Sequence, residues 1–554
     1  MTRRAKNILF IMYDQLRWDY LGCAGHPYLK TPNMDRLAMR GVRFSRAYVQ
    51  SPICGSSRMS TYTGRYVRSH GSTGNNVPLK VGEMTMGDHL RARGMSCHLV
   101  GKTHMVADAD GMARLGLAPD SVIGARLSEC GFDVFERDDG LAGRGPDGSY
   151  DENSARAYND YLRAKGYESE NPWHDFANAA VDATGDILSG WFYKNARKAA
   201  NIAEDDSETP YMTRRGIAFM TEAGDAPWCC HLSYIKPHWP YIVPAPYNDM
   251  YGPNQVQAPE RSDDERVNAH PVLDALMNNP LGRAFSRDDV RAEVIPAYMG
   301  LVRQCDDQLG VLLDWMEKSG RIKDTMIILT SDHGDYLGDH WMGDKMFFHD
   351  ASVKVPLIIF DPSAAAESTR GAVVDELVES LDLAATFTDV VGGDVPDHIL
   401  EGRSLLPFLH GKAVGTWRDC VISEFDFSTS SMAEKLGLGV REAVMFMVAD
   451  KEWKLIHFEA GLRPILFDLG ADPGELVDLG GSAAHAEVIA RMYDKLFSWA
   501  RRSRQNTTVT AAQLLEMRTS ADRRGIVMGI FDESEIDAEL TAAYRGKAGR
   551  RPTA

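Results

Sequence analysis

The chain lacks several features that would place it in other protein classes. No stretch of its 554 residues approaches the roughly 20 apolar residues that a membrane-spanning helix needs. Its eight cysteines include no Cys-x-x-Cys pair, the spacing typical of zinc ribbons and dithiol redox sites. Positive charge is in deficit, with 61 Lys and Arg against 78 Asp and Glu. Since a nucleic-acid partner requires a basic face, we expect neither a membrane nor a nucleic acid as a partner.

The cysteines and the N-terminus indicate a compartment. Most of the cysteines lie in apolar runs, which is typical of reduced thiols rather than of a disulfide framework. The first apolar run, residues 7–13, is short and is not followed by a small-residue cleavage site, so it does not resemble a secretory signal. We therefore expect a cytoplasmic protein.

The most informative segment is residues 54–65, Cys-Gly-Ser-Ser-Arg-Met-Ser-Thr-Tyr-Thr-Gly-Arg. A cysteine taken alone is most often a buried, inert thiol. Here Cys54 stands two residues before Ser56 and four before Arg58, and the segment closes on Thr-Gly-Arg. This spacing favours a functional cysteine over a structural one.

Polar pairs end two apolar runs that are far apart in the sequence. Residues 7–13 lead into Asp14 and Gln15, and residues 325–330 lead into Ser331 followed by Asp332 and His333. Runs of this kind indicate strands buried on both faces, and open α/β sheets bind ligands at the carboxyl ends of such strands. Oxygen donors suit Ca²⁺, Mg²⁺ or Mn²⁺, and one imidazole shifts the preference toward Mn²⁺. A helix cap or a turn is the alternative interpretation of each pair.

Basic side chains follow other strand-like runs. Lys102 and His104 come after residues 97–100, and His238 follows the apolar run 228–235. Lys345 lies in a Gly-Asp-Lys segment downstream of the second polar pair. Taken singly, each is more often a packing or surface residue. Their order along the chain predicts that they lie on the same rim as the metal site.

These motifs together resemble the sulfatase branch of the alkaline phosphatase superfamily. The resemblance implies that Cys54 is oxidised to formylglycine by a maturation system, and that the hydrate of this aldehyde is the nucleophile. It implies one divalent metal, Ca²⁺ or Mn²⁺, held by Asp14, Gln15, residue 54, Asp332 and His333. Many sulfatases have Asp-Asp and Asp-Asn at the two strand ends, whereas phosphonate monoester hydrolases share the Asp-Gln and Asp-His of this chain. Tyr62 is a smaller departure, since the family usually has Leu there.

The same resemblance implies roles for the remaining candidate residues. Lys102 and His104 would face the transferred group, and His238 and Lys345 would assist the leaving group. Asn75 matches an active-site asparagine of the phosphonate monoester hydrolases. The resulting catalytic set is Cys54, Arg58, Lys102, His104, His238 and Lys345, and the substrate-binding set is Asn75, Lys102, His238 and Lys345.

Two residues decide between the candidate substrates. Phosphonate monoester hydrolases have Tyr and Thr where this chain has Lys102 and His104, and arylsulfatases have Lys and His. The resemblance therefore favours an arylsulfatase that also accepts phosphonate monoesters and phosphodiesters. A phosphonate monoester hydrolase or phosphodiesterase is the alternative. A non-catalytic binding relative is disfavoured by the presence of Asp14, Cys54, Arg58 and Asp332.

The expected fold is α/β, with a large, mixed but mostly parallel sheet between layers of helices, as in alkaline phosphatase. Because the candidate residues between 14 and 345 must meet, residues 1–410 are expected to form one catalytic domain. Short strand patterns after Thr416 and an amphipathic helix near 484–501 predict an antiparallel C-terminal subdomain over 411–504. Residues 505–554 are expected to be a tail or an oligomerisation arm, and the protein a homo-oligomer.

Overall fold

A computed structural model of the chain describes residues 5–75, 77–118, 121, 130–140, 156–502, 509–520, 532–535 and 538. The strands are β1 Asn7–Asp14, β2 Val42–Tyr48, β3 Ser96–Gly101, β4 Asp133–Arg137, β5 Ala179–Val181, β6 Ile187–Ser189, β7 Trp228–Pro237, β8 Thr325–Ser331, β9 Lys354–Phe360, β10 Ala372–Glu379, β11 Val421–Asp426, β12 Val444–Ala449, β13 Trp453–Phe458 and β14 Ile465–Asp468.

The α-helices are α1 Pro32–Arg40, α2 Cys54–Thr63, α3 Val67–His70, α4 Met86–Arg91, α5 Ala109–Arg114, α6 Arg156–Ala164, α7 Glu208–Glu222, α8 Pro271–Met277, α9 Pro280–Phe285, α10 Asp288–Lys318, α11 Asp350–Val353, α12 Asp382–Val390, α13 Leu406–Leu409, α14 Ser431–Lys435, α15 Ala486–Ala500 and α16 Ala511–Ser520.

The main sheet has eight strands in the order β10-β2-β9-β8-β1-β7-β3-β4. Every neighbouring pair is parallel except the two that β9 makes, with β2 and with β8. The expected mixed, mostly parallel sheet is therefore confirmed, and one reversed strand accounts for its mixed character.

Strand β1 lies near the centre of the sheet because it is apolar on both faces. Ile8, Phe10 and Met12 enter the core on one face, and Leu9 and Ile11 enter the core on the other. Helices α2, α4 and α12 cover the first face, whereas α1, α7 and α10 cover the second. This double cover is the arrangement that buried parallel strands require.

The parallel strands bring their carboxyl ends to one edge of the sheet. β1 ends at Asp14, β3 at Gly101, β7 at Pro237 and β8 at Ser331. These four strands are direct neighbours in the sheet, in the order β8-β1-β7-β3. The segments that follow them therefore converge, as expected for the ligand edge of an α/β sheet.

A second sheet, β11-β12-β13-β14, is antiparallel throughout. One of its faces packs against α15 and the other joins the core beside the main sheet. A buried lysine joins the small sheet to the segment that precedes β9: Lys454 on β13 donates to Asp350 at 2.8 Å and to the Phe348 carbonyl at 3.0 Å. The predicted C-terminal antiparallel sheet and its helix are confirmed.

The chain divides into two compact units, residues 1–395 with 400–502, and residues 396–399 with 503–554. Both sheets belong to the first unit, and the boundaries expected at 410 and 504 stay predictions. Most of the predicted tail or arm, 505–554, lies outside the described residues. Among the residues that are described, no helix is both long and apolar enough to cross a bilayer.

Candidate active site

Cys54 is the first residue of α2 and is fully buried. Its Sγ lies 3.0 Å from His333 Nε2 and 3.2 Å from Lys345 Nζ. The next residue, Gly55, donates its N–H to Asn75 Oδ1 at 2.8 Å, so Asn75 holds the start of the helix beside the cysteine. The sulfur thus sits at a helix N-terminus, where partial positive charge favours an anion.

Four of the predicted metal ligands form one buried cluster. The ligand atoms of Asp14, Cys54, Asp332 and His333 all lie within 4.8 Å of one another. The side-chain oxygen of the fifth, Gln15, accepts a hydrogen bond from Lys345 Nζ at 3.3 Å, on the ammonium that also contacts Cys54. The two distant strand ends therefore do meet.

Arg58 orients both carboxylates of the cluster. Its Nε donates to Asp332 Oδ2 at 2.8 Å, and its Nη2 lies 3.2 Å from Asp14 Oδ2. The opposite oxygens, the two Oδ1 atoms, each lie 3.7 Å from His333 Nε2. Arg58 thus engages one oxygen of each carboxylate and leaves the other directed toward the cluster. Its Nη1 is held by the Ser233 hydroxyl at 2.8 Å.

Gln15 is held in an uncommon backbone conformation by residues that the sequence did not single out. Its φ is +66°, in the left-handed region that non-glycine residues seldom adopt. The side-chain amide donates to the Tyr241 hydroxyl at 3.2 Å and to Asp335. Asp335 follows β8 by only four residues, so its proximity to Asp332 was the one available signal.

Lys102 follows β3 and reaches back over the end of the sheet. Its Nζ lies 2.6 Å from Asp14 Oδ2. This approach depends on Gly101, whose φ is +112° and whose Cα faces the Ser233 carbonyl so closely that any side chain would collide with it. Burial lowers the pKa of Lys102, but Asp14 and Cys54 raise it more, so the ammonium stays charged.

His104 shares this rim. Its backbone has φ +59°, and its N–H and that of Thr103 both donate to Asp139 Oδ1 at 3.0 Å. His104 is among the neighbours that lower the pKa of the Cys54 thiol. Its buried Nδ1 has no hydrogen-bond partner among the described residues.

His238 and Lys345 form a pair beside Cys54. Lys345 Nζ lies 3.3 Å from His238 Nε2, which in turn lies 3.9 Å from Asp14 Oδ1. The ring is oriented through Nδ1, 2.7 Å from the Trp239 carbonyl. Burial lowers the pKa of His238, Asp14 opposes this shift, and Lys345 reinforces it. The imidazole is therefore predominantly neutral near neutral pH.

Tyr62, the departure from the usual family leucine, has a defined place. Its hydroxyl lies 2.8 Å from His231 Nε2 and accepts from Arg58 Nη1 at 3.4 Å. His231 itself is buried within β7, and burial together with Arg58 lowers its pKa to about 3. His231 is thus a neutral structural histidine, and Tyr62 connects it to the guanidinium.

The structure brings all the sequence-predicted site residues into this one region. Burial alone would raise the pKa of the Cys54 thiol, but Lys345, His333 and Lys102 hold it well below its ordinary value. Burial lowers the pKa of His333, yet Asp332 and Cys54 bring it to about 9. A buried, cation-rich site with an anionic group at position 54 can bind and attack an anionic ester.

The match to known families agrees with this geometry. The sulfatase family model matches residues 6–393, and the model for the C-terminal region of N-sulphoglucosamine sulphohydrolase matches residues 338–502. The chain belongs to the sulfatase family. This sulfatase is accordingly a hydrolase of the alkaline phosphatase superfamily.

Relatives of this sulfatase have both sulfate and phosphonate names. It is 30% identical over 535 residues to a multifunctional alkaline phosphatase superfamily protein, PehA, of Trinickia caryophylli, covering 92% of this chain and 97% of that one. It is 27% identical to an arylsulfatase of Clostridium perfringens, covering 87% and 92%. Among solved structures, a phosphonate monoester hydrolase of Silicibacter pomeroyi superposes with a TM-score of 0.79 at 28% identity, covering 90% and 96%.

The donor set fits a divalent cation. Two carboxylates, a carboxamide oxygen and an imidazole are ligands that Ca²⁺ or Mn²⁺ accept. The two Oδ1 atoms that Arg58 does not contact each lie 3.7 Å from His333 Nε2, and that of Asp332 also accepts the Gln15 N–H at 3.1 Å. Within the described residues, the acidic, histidine and cysteine groups of this cluster are placed where they could hold a metal ion.

We expect Asp332→Ala to abolish tight metal binding, because it removes a ligand and frees Arg58 from one of its two carboxylates. The purified protein should contain about one divalent metal per chain by elemental mass spectrometry, and the variant far less. Burial lowers the pKa of His333, but charged neighbours, Asp332 first, raise it more. Because an imidazole binds metal only when neutral, the measured metal affinity should rise as the pH is raised from neutral.

The matched control is Asp361→Ala. Asp361 is an equally buried carboxylate, paired with His410 at 2.8 Å, but it follows β9, the reversed strand, and so lies at the opposite edge of the sheet. This variant should retain the metal. Full metal content in Asp332→Ala would remove Asp332 from the ligand set.

Proposed function

We propose that this sulfatase hydrolyses sulfate monoesters of the aryl type, using formylglycine at position 54 as the source of its nucleophile. The observation that carries the proposal is the pair Lys102 and His104 beside residue 54, the combination that resembles arylsulfatases. Lys102 is ion-paired with Asp14, and His104 is among the neighbours that lower the pKa of the Cys54 thiol. Both are therefore positioned to contact a group transferred to residue 54.

A divalent metal, Ca²⁺ or Mn²⁺, would be held by Asp14, Gln15, Asp332, His333 and residue 54. When bound, such an ion lowers the pKa of a coordinated hydroxyl and polarises the oxygens of the transferred group. The formation of formylglycine requires a maturation system as a partner. In line with the expectations from the sequence, we also propose that the protein is cytoplasmic and forms a homo-oligomer.

The side chains divide the remaining work between the two sides of residue 54. On one side Lys102 would hold an oxygen of the transferred group by a charge-assisted hydrogen bond. His104 would accept a proton from the residue-54 side chain when the transferred group is released. Lys345 and His238 would stabilise the departing alcohol or phenol oxygen. The proton that this oxygen takes up would be the one that Lys345 Nζ shares with His238 Nε2.

The protein as a whole does not attract an anion, because its net charge is −17. Attraction must therefore be local. Arg58, Lys102 and Lys345 place three buried cationic groups around residue 54. These groups also neutralise the charge that develops on the transferred oxygens.

Hydrolysis of phosphonate monoesters and phosphodiesters is the second candidate function. The Asp-Gln and Asp-His pairs favour it, as do the superposition on the phosphonate monoester hydrolase and the similarity to PehA. The electrostatic requirements of the two reactions overlap, since both transfer a tetrahedral anion to the same residue. We therefore propose sulfate as the preferred substrate and the phosphorus esters as secondary substrates.

We expect protein made with a competent maturation system to show an aldehyde or its hydrate in place of the thiol at position 54, measured by peptide mass spectrometry. The peptide that contains Cys97, a buried cysteine outside the site, is the internal thiol control. Cys54→Ala should lower the turnover rate by at least about 10³, because it removes a covalent nucleophile. Fully active protein that retains only the thiol would contradict the proposal.

Exchanging Lys102→Tyr together with His104→Thr tests the substrate preference. The double change should lower kcat/KM for an aryl sulfate by about 10²–10³, the usual effect of removing a charge-stabilising donor, and for an aryl phosphonate by less. Lys80→Tyr, at an exposed lysine, should change neither value. An equal loss on both esters would show that these two residues do not set the preference, and a wild-type preference for phosphonate would favour the second candidate.

A further inference from the structure

Two tryptophans lie on the leaving-group side of the site. Trp239 follows His238 directly, and the two rings are 4.0 Å apart between centroids. Lys345 Nζ lies 5.8 Å from the Trp239 ring centroid. Trp191, from the segment between β4 and β7, places its ring 5.3 Å from that of Trp239 at an angle of 59°.

Hydrogen bonds fix the orientation of both indole rings. Trp239 donates its ring N–H to Asp344 Oδ1 at 3.1 Å, and Trp191 donates its own to His174 Nδ1 at 3.3 Å. Because both indole N–H groups are already engaged within the protein, the rings present only apolar surface to a ligand. Both side chains are partly exposed. Asp344 accepts the Trp239 ring N–H and lies 3.6 Å from Lys345 Nζ, so its charge is already balanced and does not favour a cationic ligand.

We propose that Trp191 and Trp239 form the leaving-group subsite and that its ligand is a planar aromatic alcohol. The proposal rests on the function proposed above, since it requires that Lys345 and His238 contact the departing oxygen. A ring attached to that oxygen would lie within reach of the Trp239 face. Aromatic pairs favour centroid distances of about 4.5–7 Å and tilted or offset geometry, and two rings 59° apart can contact both a face and an edge of a third.

The test compares two esters whose alcohols have equal acidity, one aromatic and one a fluorinated, non-aromatic alcohol. Trp239→Leu and Trp191→Leu should each lower kcat/KM for the aryl ester about tenfold more than for the non-aromatic ester, mainly through KM. Trp453→Leu is the matched control. Trp453 is a partly exposed tryptophan on β13 of the small sheet, and its replacement should leave both values unchanged.

Binding of the free phenol is measured in parallel, because it requires no ester cleavage. Phenol binding that Trp239→Leu weakens would support the subsite even if wild-type protein cleaved no ester, in which case only the proposed function would fail. If both esters are cleaved and the tryptophan variants lower them equally, the subsite is wrong and the function stands. Absence of phenol binding to wild-type protein would likewise overturn the subsite.

Lys236, the lysine near the carboxyl end of β7, is buried. Its Nζ donates to Asn178 Oδ1 at 2.9 Å, to the Pro240 carbonyl at 3.1 Å and to the His238 carbonyl at 3.5 Å. One ammonium thus satisfies three acceptors and closes the turn that carries His238. Burial lowers the pKa of Lys236, and the opposing effects of Glu208 and Asp138 do not fully offset this shift.

Asn178 connects this turn to the same segment that carries Trp191. Its side-chain amide donates to the Trp173 carbonyl at 3.0 Å, and its own carbonyl accepts from Gly190 N–H at 2.9 Å. Lys236 therefore links the His238 turn to the wall of the leaving-group side. We infer that Lys236 is a positioning residue, which acts on the reaction by fixing where His238 stands.

A positioning role for Lys236 predicts a specific kinetic signature. Lys236→Met should displace His238, whose proposed task matters most when the leaving oxygen is poor. The loss in kcat/KM should therefore be at least about tenfold greater for a phenyl ester than for a 4-nitrophenyl ester, the same pattern as for His238→Ala. Whichever ester class the enzyme cleaves, sulfate or phosphonate, serves for this comparison.

The control is Lys454→Met, which removes another fully buried lysine, one paired with Asp350 and Glu475 away from the site. It should lower the melting temperature without changing the dependence on leaving group. Asn178→Ala keeps the ammonium and removes one acceptor, so it should show the Lys236→Met pattern in weaker form if that variant does not fold. An equal loss on both esters in Lys236→Met or in Asn178→Ala would overturn the inference.

Discussion

The site depends on one buried cation, the guanidinium of Arg58, and on the two carboxylates it joins. Asp14 ends β1 and Asp332 follows the adjacent strand β8, and the side chains of all three residues are inaccessible to solvent. Two carboxylates at this separation would repel each other strongly in a medium of low polarity. The planar fork of Arg58 engages one oxygen of each and is anchored by Ser233 and the Lys102 carbonyl. The remaining oxygens lie in the cluster that could hold a metal ion.

The sheet determines which segments can take part in this arrangement. Strands β3, β7, β1 and β8 run in the same direction, so the residues after each strand arrive at one edge. β9 runs the other way and contributes nothing there from its own carboxyl end. Local backbone strain completes the site, since Gln15 and His104 both have positive φ. Such strain persists only where surrounding contacts enforce it, and here Tyr241, Asp335 and Asp139 do so.

The two sides of residue 54 differ in origin and in chemistry. Lys102 and His104 come from the loop after β3 and, in the proposed function, face the group that is transferred. His238 and Lys345 would face the group that leaves, beside tryptophans that belong partly to the segment between β4 and β7. Under that proposal, the choice between sulfate and phosphonate and the choice of alcohol can change independently. This separation is consistent with the mixture of sulfate and phosphonate names among the relatives.

Much of this protein followed from the sequence alone, because its chemistry is concentrated at the ends of short apolar runs. The strands that precede Asp14 and Asp332, the antiparallel C-terminal sheet and the cluster around Cys54 were all predictable from pattern and motif. Only the tertiary structure determined how Asp335 and Tyr241 hold Gln15, why Gly101 must lack a side chain, and that Trp191 meets Trp239. Those relations join residues far apart in the chain that carry no local motif. Their partners are set by strand order and by the packing of the segment between β4 and β7, and neither can be deduced from hydrophobic periodicity.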